Sequence, residues 1–127
     1  MAIELSELKT KSGHPVLRAN FVKEVTVADA EGYHAKLVPG AKYDGWGHLV
    51  VGNITGVSSE VRKVLSSQKT DARNPVPVAL ILTSALARMA AALTMRLTDN
   101  SNSDSFKSEE EGLAWLDGRM AEFLRKR

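Results

Sequence analysis

Residues 74–97 read NPVPVALILTSALARMAAALTMRL, which predicts a strand followed directly by a helix. The run 76–83 is apolar at both sets of alternating positions, as expected of a strand in the middle of a sheet that is covered on both sides. From Ser84, a predicted N-cap, the apolar period lengthens to about 3.6 residues. The predicted sheet-facing stripe of this helix consists of Leu86, Met89, Ala90, Leu93 and Leu97.

The chain before this unit predicts a hairpin and a first helix. Two short runs of alternating polarity, 3–10 and 15–22, flank a glycine-containing turn, and the alternation in the second run predicts a strand with one solvated face. Thr26 and Asp29 have the spacing of a capping box, in which each side chain bonds the other residue's backbone N–H. The helix that follows is expected to stop at the proline and glycine of 39–40.

Two further strand and helix pairs surround the opening stretch. Residues 48–52 include β-branched side chains and predict a central strand, and one of the serines at 58–59 is expected to cap the helix after it. Near the end of the sequence we predict a minimal edge strand at 105–107 and a helix that opens with a capping box at 108–111. The expected buried face of this last helix consists of Leu113, Leu116, Met120, Phe123 and Leu124.

The predicted elements follow the order strand, strand, helix, strand, helix, strand, helix, strand, helix. Such alternation with right-handed crossovers is typical of an α/β fold, with parallel strands in the middle of the sheet and the hairpin as an antiparallel edge. We therefore predict a mixed, mainly parallel sheet of four to five strands with about four helices. A chain of 127 residues fits a single domain, 1–127, whose core needs no metal or disulfide.

Composition argues against several classes of function. The chain has no cysteine, which removes thiolate nucleophiles, cysteine metal sites and disulfides, and is compatible with a reducing compartment. The 17 lysines and arginines exceed the 15 aspartates and glutamates by 2, too few for a nucleic-acid-binding surface. Residues 1–14 do not resemble a leader, and no apolar run is long enough to span a bilayer. We expect a cytoplasmic protein without integral membrane association.

Patterns typical of catalysis or ligand binding are also missing from the sequence. His14, His34 and His48 form no ligand-spaced motif; His34 is expected to be partly buried in a helix, and the other two to lie at the surface or at a strand edge. The glycines around 48–52 form neither a dinucleotide motif nor a phosphate-binding loop. We predict no catalytic residue, no cofactor and no metal, and hence no enzyme. Trp115 is expected to pack in the core, cover a sheet edge or line a groove.

Three patterns in this order resemble the STAS domain family and, within it, the bacterial SpoIIAA-like proteins. They are the strand-turn-helix of 48–65, the strand-helix pair of 76–97 and the ending FKSEEEGLAWL of 106–116. The resemblance covers about residues 15–117 and implies a single SpoIIAA-like layer of sheet and helices. It also implies a non-enzymatic regulatory or protein-interaction domain similar to the anti-sigma-factor antagonists, with a protein partner.

The resemblance places a candidate interaction or phosphorylation loop before the second helix. In the antagonists a pair of serines that opens this helix is phosphorylated, and the match here falls on Ser58 and Ser59. This sequence has Val57 where an aspartate is typical and Glu60 where a glycine is typical, and the Glu60 carboxylate would repel a phosphate that the helix N-terminus attracts. Helix capping alone is the simpler role for these serines. The candidate loop residues are Asn53, Thr55, Ser58 and Ser59.

Two further expectations concern the helix that follows the opening strand. Alanine and methionine residues leave much of its circumference apolar, and such a helix is usually buried on more than one side. The second face, represented by Ala87, Ala91 and Met95, would mediate a symmetric homodimer or pack on a neighbouring helix of the same chain. The alternative function is a carrier or sensor of a small apolar or lipid-like ligand, for which the same face would be used.

Overall fold

A computed structural model of the chain describes residues 2–37, 40–52, 58–61, 76–89 and 102–126. Its strands are β1 (Ile3–Lys9), β2 (Pro15–Phe21), β3 (Gly47–Gly52), β4 (Val78–Ile81) and β5 (Ser103–Phe106). The helices are α1 (Val27–Ala35) and α4 (Glu109–Lys126), together with α2, described over residues 59–61, and α3, described over residues 85–89. The α/β order predicted from the sequence is confirmed.

The five strands form one sheet in the order β1-β2-β3-β4-β5. Strand β1 pairs antiparallel with β2, and the other neighbouring strands all pair parallel. The strand built from the opening stretch, β4, lies between two parallel neighbours as its apolar sequence predicted, although it is shorter than the run 76–83. The sheet is therefore mixed and mainly parallel, with the hairpin as its antiparallel edge.

The two faces of the sheet belong to separate hydrophobic clusters. The cluster on one face includes Leu17, Ala19, Phe21 and Val50 of the sheet, Ala30 and Tyr33 of α1, and Val61 of α2. The cluster on the other face includes Val16, Leu49, Val51 and Ala79 of the sheet and Leu116 of α4. The sheet thus lies between a layer containing α1 and α2 and a layer formed by α4.

Strand β2 is covered on both faces, so the predicted solvated face was wrong. Val16, on the side that faces α4, has 0% of its surface exposed. On the same face, Arg18 donates from Nε to Oε1 of Glu109 at 2.7 Å and from Nη2 to Oε2 at 3.2 Å. This bidentate bond is the main reason that the pKa of Glu109 is lowered. The second face of β2 is covered by α4, a helix far along the chain. The alternation within β2 cannot indicate that such a distant helix packs on it.

Helix α4 packs unusually close to the sheet at Gly112. A Cβ atom at this position would lie 2.8 Å from Cδ1 of Ile81 and 3.0 Å from Cδ1 of Leu49, so the helix approaches the strands where it has no side chain. The buried residues of α4 are Gly112, Leu116, Met120 and Phe123, and Leu113 is half-buried. Leu124, predicted to be buried, is 40% exposed because it lies beside this stripe.

Each predicted helix start has a capping hydrogen bond; α1 has the complete capping box, and for α4 one of the two bonds of the predicted box is shown. In α1, Asp29 N–H donates to Oγ1 of Thr26 and Thr26 N–H donates to Oδ2 of Asp29, which completes the capping box. Ser84 Oγ accepts from the N–H of Ala87 at 3.3 Å. Ser108 Oγ accepts from the N–H of Glu111, also at 3.3 Å. These short-range bonds fix where the helices begin; α1 ends at Ala35, ahead of the predicted stop, and Pro39 lies outside the described residues.

The turn of the β1–β2 hairpin is attached to α4. Ser12 donates from both its backbone N–H and its Oγ to the carboxylate of Asp117, each at 2.9 Å. Hydrogen bonds from Thr10 and then from Ser12 lower the pKa of the Asp117 carboxyl. The hairpin is thus held at its turn as well as along β2.

Two glycines with nearly the same positive φ allow a test of the close contact that Gly52 makes with β2. Gly13 and Gly52 have φ values of 89° and 90°. Nothing lies within 4 Å of a Cβ at Gly13, whereas a Cβ at Gly52 would lie 2.5 Å from the carbonyl oxygen of Phe21. We expect Gly13→Ala to lower the free energy of unfolding by about 1 kcal/mol through backbone strain alone. Gly52→Ala should cost at least about 2 kcal/mol more, because backbone atoms must move apart.

Urea denaturation of the two alanine variants measures this difference directly. Gly13→Ala serves as the control, because it carries the φ penalty without the steric conflict. Equal losses of stability in the two variants would contradict the close contact between Gly52 and β2.

Candidate functional site

The candidate loop residues belong to the connections that leave one edge of the sheet. Strands β3 and β4 are parallel neighbours, so their carboxyl ends lie at the same edge. The connection to α2 leaves β3 at this edge after Gly52, and the connection to α3 leaves β4 there after Ile81. Asn53 and Thr55, two of the predicted loop residues, lie outside the described residues.

Ser58 is the serine that caps α2. Its Oγ accepts from the N–H of Val61 at 3.3 Å, and Val61 is buried in the cluster shared with α1. Ser58, Ser59 and Glu60 are all exposed. The start of α2 therefore presents two hydroxyls and one carboxylate to solvent, on a helix anchored by Val61. Phosphorylation of either serine stays a prediction.

The start of α3 is held by an arginine from its own first turn. Arg88 Nη1 donates to the carbonyl oxygen of Leu82 at 2.7 Å and to that of Thr83 at 3.2 Å. These two carbonyls follow the last residue of β4 and have left the strand ladder. The guanidinium thus satisfies backbone groups at the strand end and stabilises the turn into the helix.

Leu86 and Met89 lie on the outer side of α3, so their predicted contact with the sheet was wrong. Leu86 is 77% exposed and Met89 is 69% exposed. Ala87, predicted on the self-association face, is half-buried, and the other two residues of that face, Ala91 and Met95, lie outside the described residues. The period of the sequence predicts which residues share a face, but it does not indicate which face meets the sheet when both are apolar.

His48 is buried in the central strand, which corrects the prediction of a surface or strand-edge position. His48 is only 3% exposed, and its Nδ1 is hydrogen-bonded to the phenolic oxygen of Tyr33 at 3.2 Å. Burial lowers the pKa of His48 to about 4 and raises the pKa of Tyr33. The imidazole is therefore neutral at pH 7. The apolar residues next to His48 in the sequence indicated a central strand, and a central strand buries the side chains on both of its faces.

The described residues bring no second histidine to this pair. His34 is half-buried in α1, as predicted, and His14 is half-buried after the hairpin turn. Within the described ranges, no three histidine, aspartate or glutamate side chains are grouped to hold a metal ion. Nor does any helix in those ranges have the length and apolarity needed to cross a membrane.

Trp115 is half-buried and packs against the core cluster on the α4 side of the sheet, as predicted, next to Phe106 of β5. Its ring centroid lies 5.4 Å from that of Phe106 in β5, at an interplanar angle of 48°. The guanidinium carbon of Arg119 lies 5.2 Å from the centroid of the Trp115 ring on α4. These contacts place an aromatic pair and a cation beside the shorter edge strand.

An open groove lies between β1 and α1, at the opposite edge of the sheet. It has a volume of about 190 Å³, below the range of about 300 to 1,000 Å³ typical of small-molecule sites. Its lining residues are Ile3, Leu5, Ala28, Asp29, Gly32, Tyr33 and Lys36. The sequence did not indicate this groove, because it forms only when the first strand of the hairpin is brought beside a helix that follows the second.

Comparison with known proteins identifies no relative. No protein-family model matches the sequence, and no curated protein or solved structure matches it significantly. The function must therefore be argued from the residues and their geometry.

The buried imidazole predicts a specific pH dependence of stability. The pKa of His48 is lowered from 6.5 to about 4 in the folded protein, so the unfolded chain takes up a proton first as the pH falls. The contribution of neutral His48 to the free energy of unfolding is fully present above about pH 6.5 and is lost progressively as the pH falls toward 4. The loss should be on the order of 3 kcal/mol in the free energy of unfolding.

Urea denaturation between pH 7.5 and pH 4.5 checks this dependence. His48→Gln, whose amide oxygen can still accept from Tyr33, should lose the histidine component of the slope. His34→Gln is the matched control, because it leaves the buried pair intact. The assignment is wrong if His48→Gln keeps the full slope of the parent protein.

Proposed function

We propose that the protein is a non-enzymatic regulatory or protein-interaction domain similar to the STAS anti-sigma-factor antagonists. Its partner-binding surface would be the start of α2 with the connection that precedes it. The observation that carries this proposal is the exposed Ser58-Ser59-Glu60 segment, attached to the core by Val61. Exposed polar groups on a rigid support are typical of binding residues.

A non-enzymatic role is supported by the surroundings of His48. A general base must come within hydrogen-bond reach of the proton that it removes from a substrate. His48 is held inside the sheet, and the partner of its Nδ1 is the phenol of Tyr33, itself buried. The ring pair therefore contributes to packing and polar satisfaction of the core, and it would not meet a substrate without local unfolding.

The closing motif on which the resemblance to the STAS family rests packs as one local unit. Phe106 and Trp115, the two aromatic residues of FKSEEEGLAWL, contact each other across β5 and α4. Ser108, between them in the sequence, caps α4. The motif thus forms one local unit that joins the last strand to the last helix, which is a reason for these residues to occur together.

A second candidate function is a carrier or sensor of a small apolar ligand, favoured by the exposed pair on α3. Leu86 and Met89 are spaced by three residues, and neighbours at this spacing lie on one side of a helix. Either a partner protein or an apolar ligand would cover such a pair, which lies on a different side of α3 from the half-buried Ala87 of the predicted self-association face. Native mass spectrometry of protein purified from its own cells distinguishes these possibilities, because a retained lipid mass supports the carrier function.

The partner-binding proposal is tested by Ser58→Ala/Ser59→Ala. Loss of the cap should lower the free energy of unfolding by about 1 kcal/mol. If the start of α2 binds the partner, capture of that partner from a lysate of the producing cells should fall by more than this loss of stability explains. Quantitative mass spectrometry of the captured proteins gives the measurement.

Ser108→Ala is the matched control for this double variant. Ser108 makes the same 3.3 Å cap bond as Ser58, but in α4 on the other face of the sheet. It should lose comparable stability and retain capture. Equal capture by the parent, the control and the double variant would rule out the start of α2 as the binding surface.

A further inference from the structure

Strand β1 has one edge directed away from the sheet. Val22 N–H donates to the carbonyl oxygen of Ala2, and Thr10 N–H donates to that of His14, so the even-numbered residues of β1 point their backbone groups toward β2. Since backbone groups alternate in direction along an antiparallel strand, the odd-numbered residues from Ile3 to Lys9 point theirs outward. No described residue pairs with this outward row.

The same odd-numbered residues form the wall of the groove beside α1. The side chains of Ile3 and Leu5 line it from the strand, and Ala28 and Gly32, one helical turn apart, line it from α1. A Cβ at Gly32 would have nothing within 4 Å. The helix therefore leaves open space beside the outward edge at Ile3 and Leu5.

Opposite charges stand at the two ends of this groove. Strand β2 ends beside the start of β1, and helix α1 begins a few residues after that. Asp29, in the first turn of α1, therefore lies toward Ile3. At the other end, Tyr43 O–H donates to Glu7 and Tyr43 N–H donates to the carbonyl oxygen of Lys36. Lys36 therefore lies toward the Glu7 end of the strand.

We propose that β1 forms the interface of a symmetric homodimer, in which two copies pair antiparallel at this edge with Ser6 opposite Ser6. This register pairs Ile3–Lys9 of one copy with the whole of the same strand in the other, and odd-numbered residues face odd-numbered residues. Lys9 of the second copy then lies opposite Ile3, toward Asp29. Glu7 of the second copy lies opposite Leu5, toward Lys36. Both charged ends of the groove receive a side chain of opposite charge.

Neighbouring registers lack this complementarity. Centring the pair on Glu4 or on Glu7 places a carboxylate opposite its own copy, and like charges directly opposite are destabilising. Centring it on Leu5 brings Glu7 of the second copy beside Asp29. Centring it on Leu8 places Glu7 opposite Lys9, but the first residues of β1 then lie opposite the hairpin turn and most of the strand is left unpaired. Charged residues usually protect an exposed edge strand from pairing. Here charge and strand length together favour the Ser6 register and a second copy of this chain as the partner.

The absence of cysteine from the sequence allows a register-specific test. Ser6 is exposed, and in the proposed dimer it occupies a non-hydrogen-bonded pair with Cα atoms about 4.5 Å apart, within the range for a disulfide. Ser6→Cys should form a covalent dimer under mild oxidation, roughly tenfold faster or more than Glu4→Cys. Glu4 is equally exposed in the same strand, but its two copies would lie about 13 Å apart.

A charge reversal tests the same interface without cross-linking. In sedimentation equilibrium, Lys9→Glu should raise the dimer dissociation constant on the order of tenfold, because both symmetry-related contacts with Asp29 become repulsive. Lys11→Glu makes the same charge change at an exposed position in the hairpin turn, outside the paired strand, and should leave the constant unchanged.

Fast cross-linking of Ser6→Cys together with weakening by Lys9→Glu alone supports the β1 dimer. The proposal is overturned if the parent protein sediments as a monomer. This includes the case in which β1 binds a strand of another protein instead. It is also overturned by a dimer in which Ser6→Cys oxidises no faster than Glu4→Cys, since that dimer uses another surface such as α3. None of these variants touches Ser58 or Ser59, so failure here is distinct from failure of the partner-binding proposal.

Discussion

The structure depends on the burial of β3 on both of its faces. Its parallel neighbours satisfy its backbone, and its side chains alternate between two hydrophobic clusters, with Val50 on one face and Leu49 on the other. Two layers of helix must therefore cover the sheet. Helix α4 approaches the strands closely at Gly112, which has no side chain, and His48 lies on the other face, where burial lowers its pKa and its ring is hydrogen-bonded to Tyr33.

The two edges of the sheet differ in how they end. At β5, the Phe106 and Trp115 rings pack beside a strand of four residues, and the last helix contributes Arg119. At β1, seven residues form an edge with an open groove beside α1. An edge strand presents a row of backbone donors and acceptors, and among the described residues β1 is the longer of the two edges. The asymmetry is a property of the fold, because the hairpin adds β1 without a crossover helix of its own.

Much of the candidate site was predictable because helix caps are local. Ser84 and Ser108 were identified as caps, and the cap of α2 was placed on one of the serines at 58–59; Ser58, Ser84 and Ser108 each accept the backbone N–H three residues later. The exposure of Leu86 and Met89 was not predictable in the same way. Both faces of their helix are apolar, so the periodicity could not decide which one would be exposed, and the half-buried residues of this turn are Ala87 and Arg88.

The sequence by itself determined the order of the elements, the mixed sheet and the helix starts, because alternation, period and capping act over a few residues. Only the tertiary structure decided what lies against each face. The second face of β2 is covered because Arg18 and Val16 meet α4, about 90 residues later in the chain, where Glu109 lies. His48 is buried because β3 is central, and the groove at Ile3 exists because α1 returns beside β1. These contacts join residues that are distant in sequence, and no local pattern records which distant residues will meet.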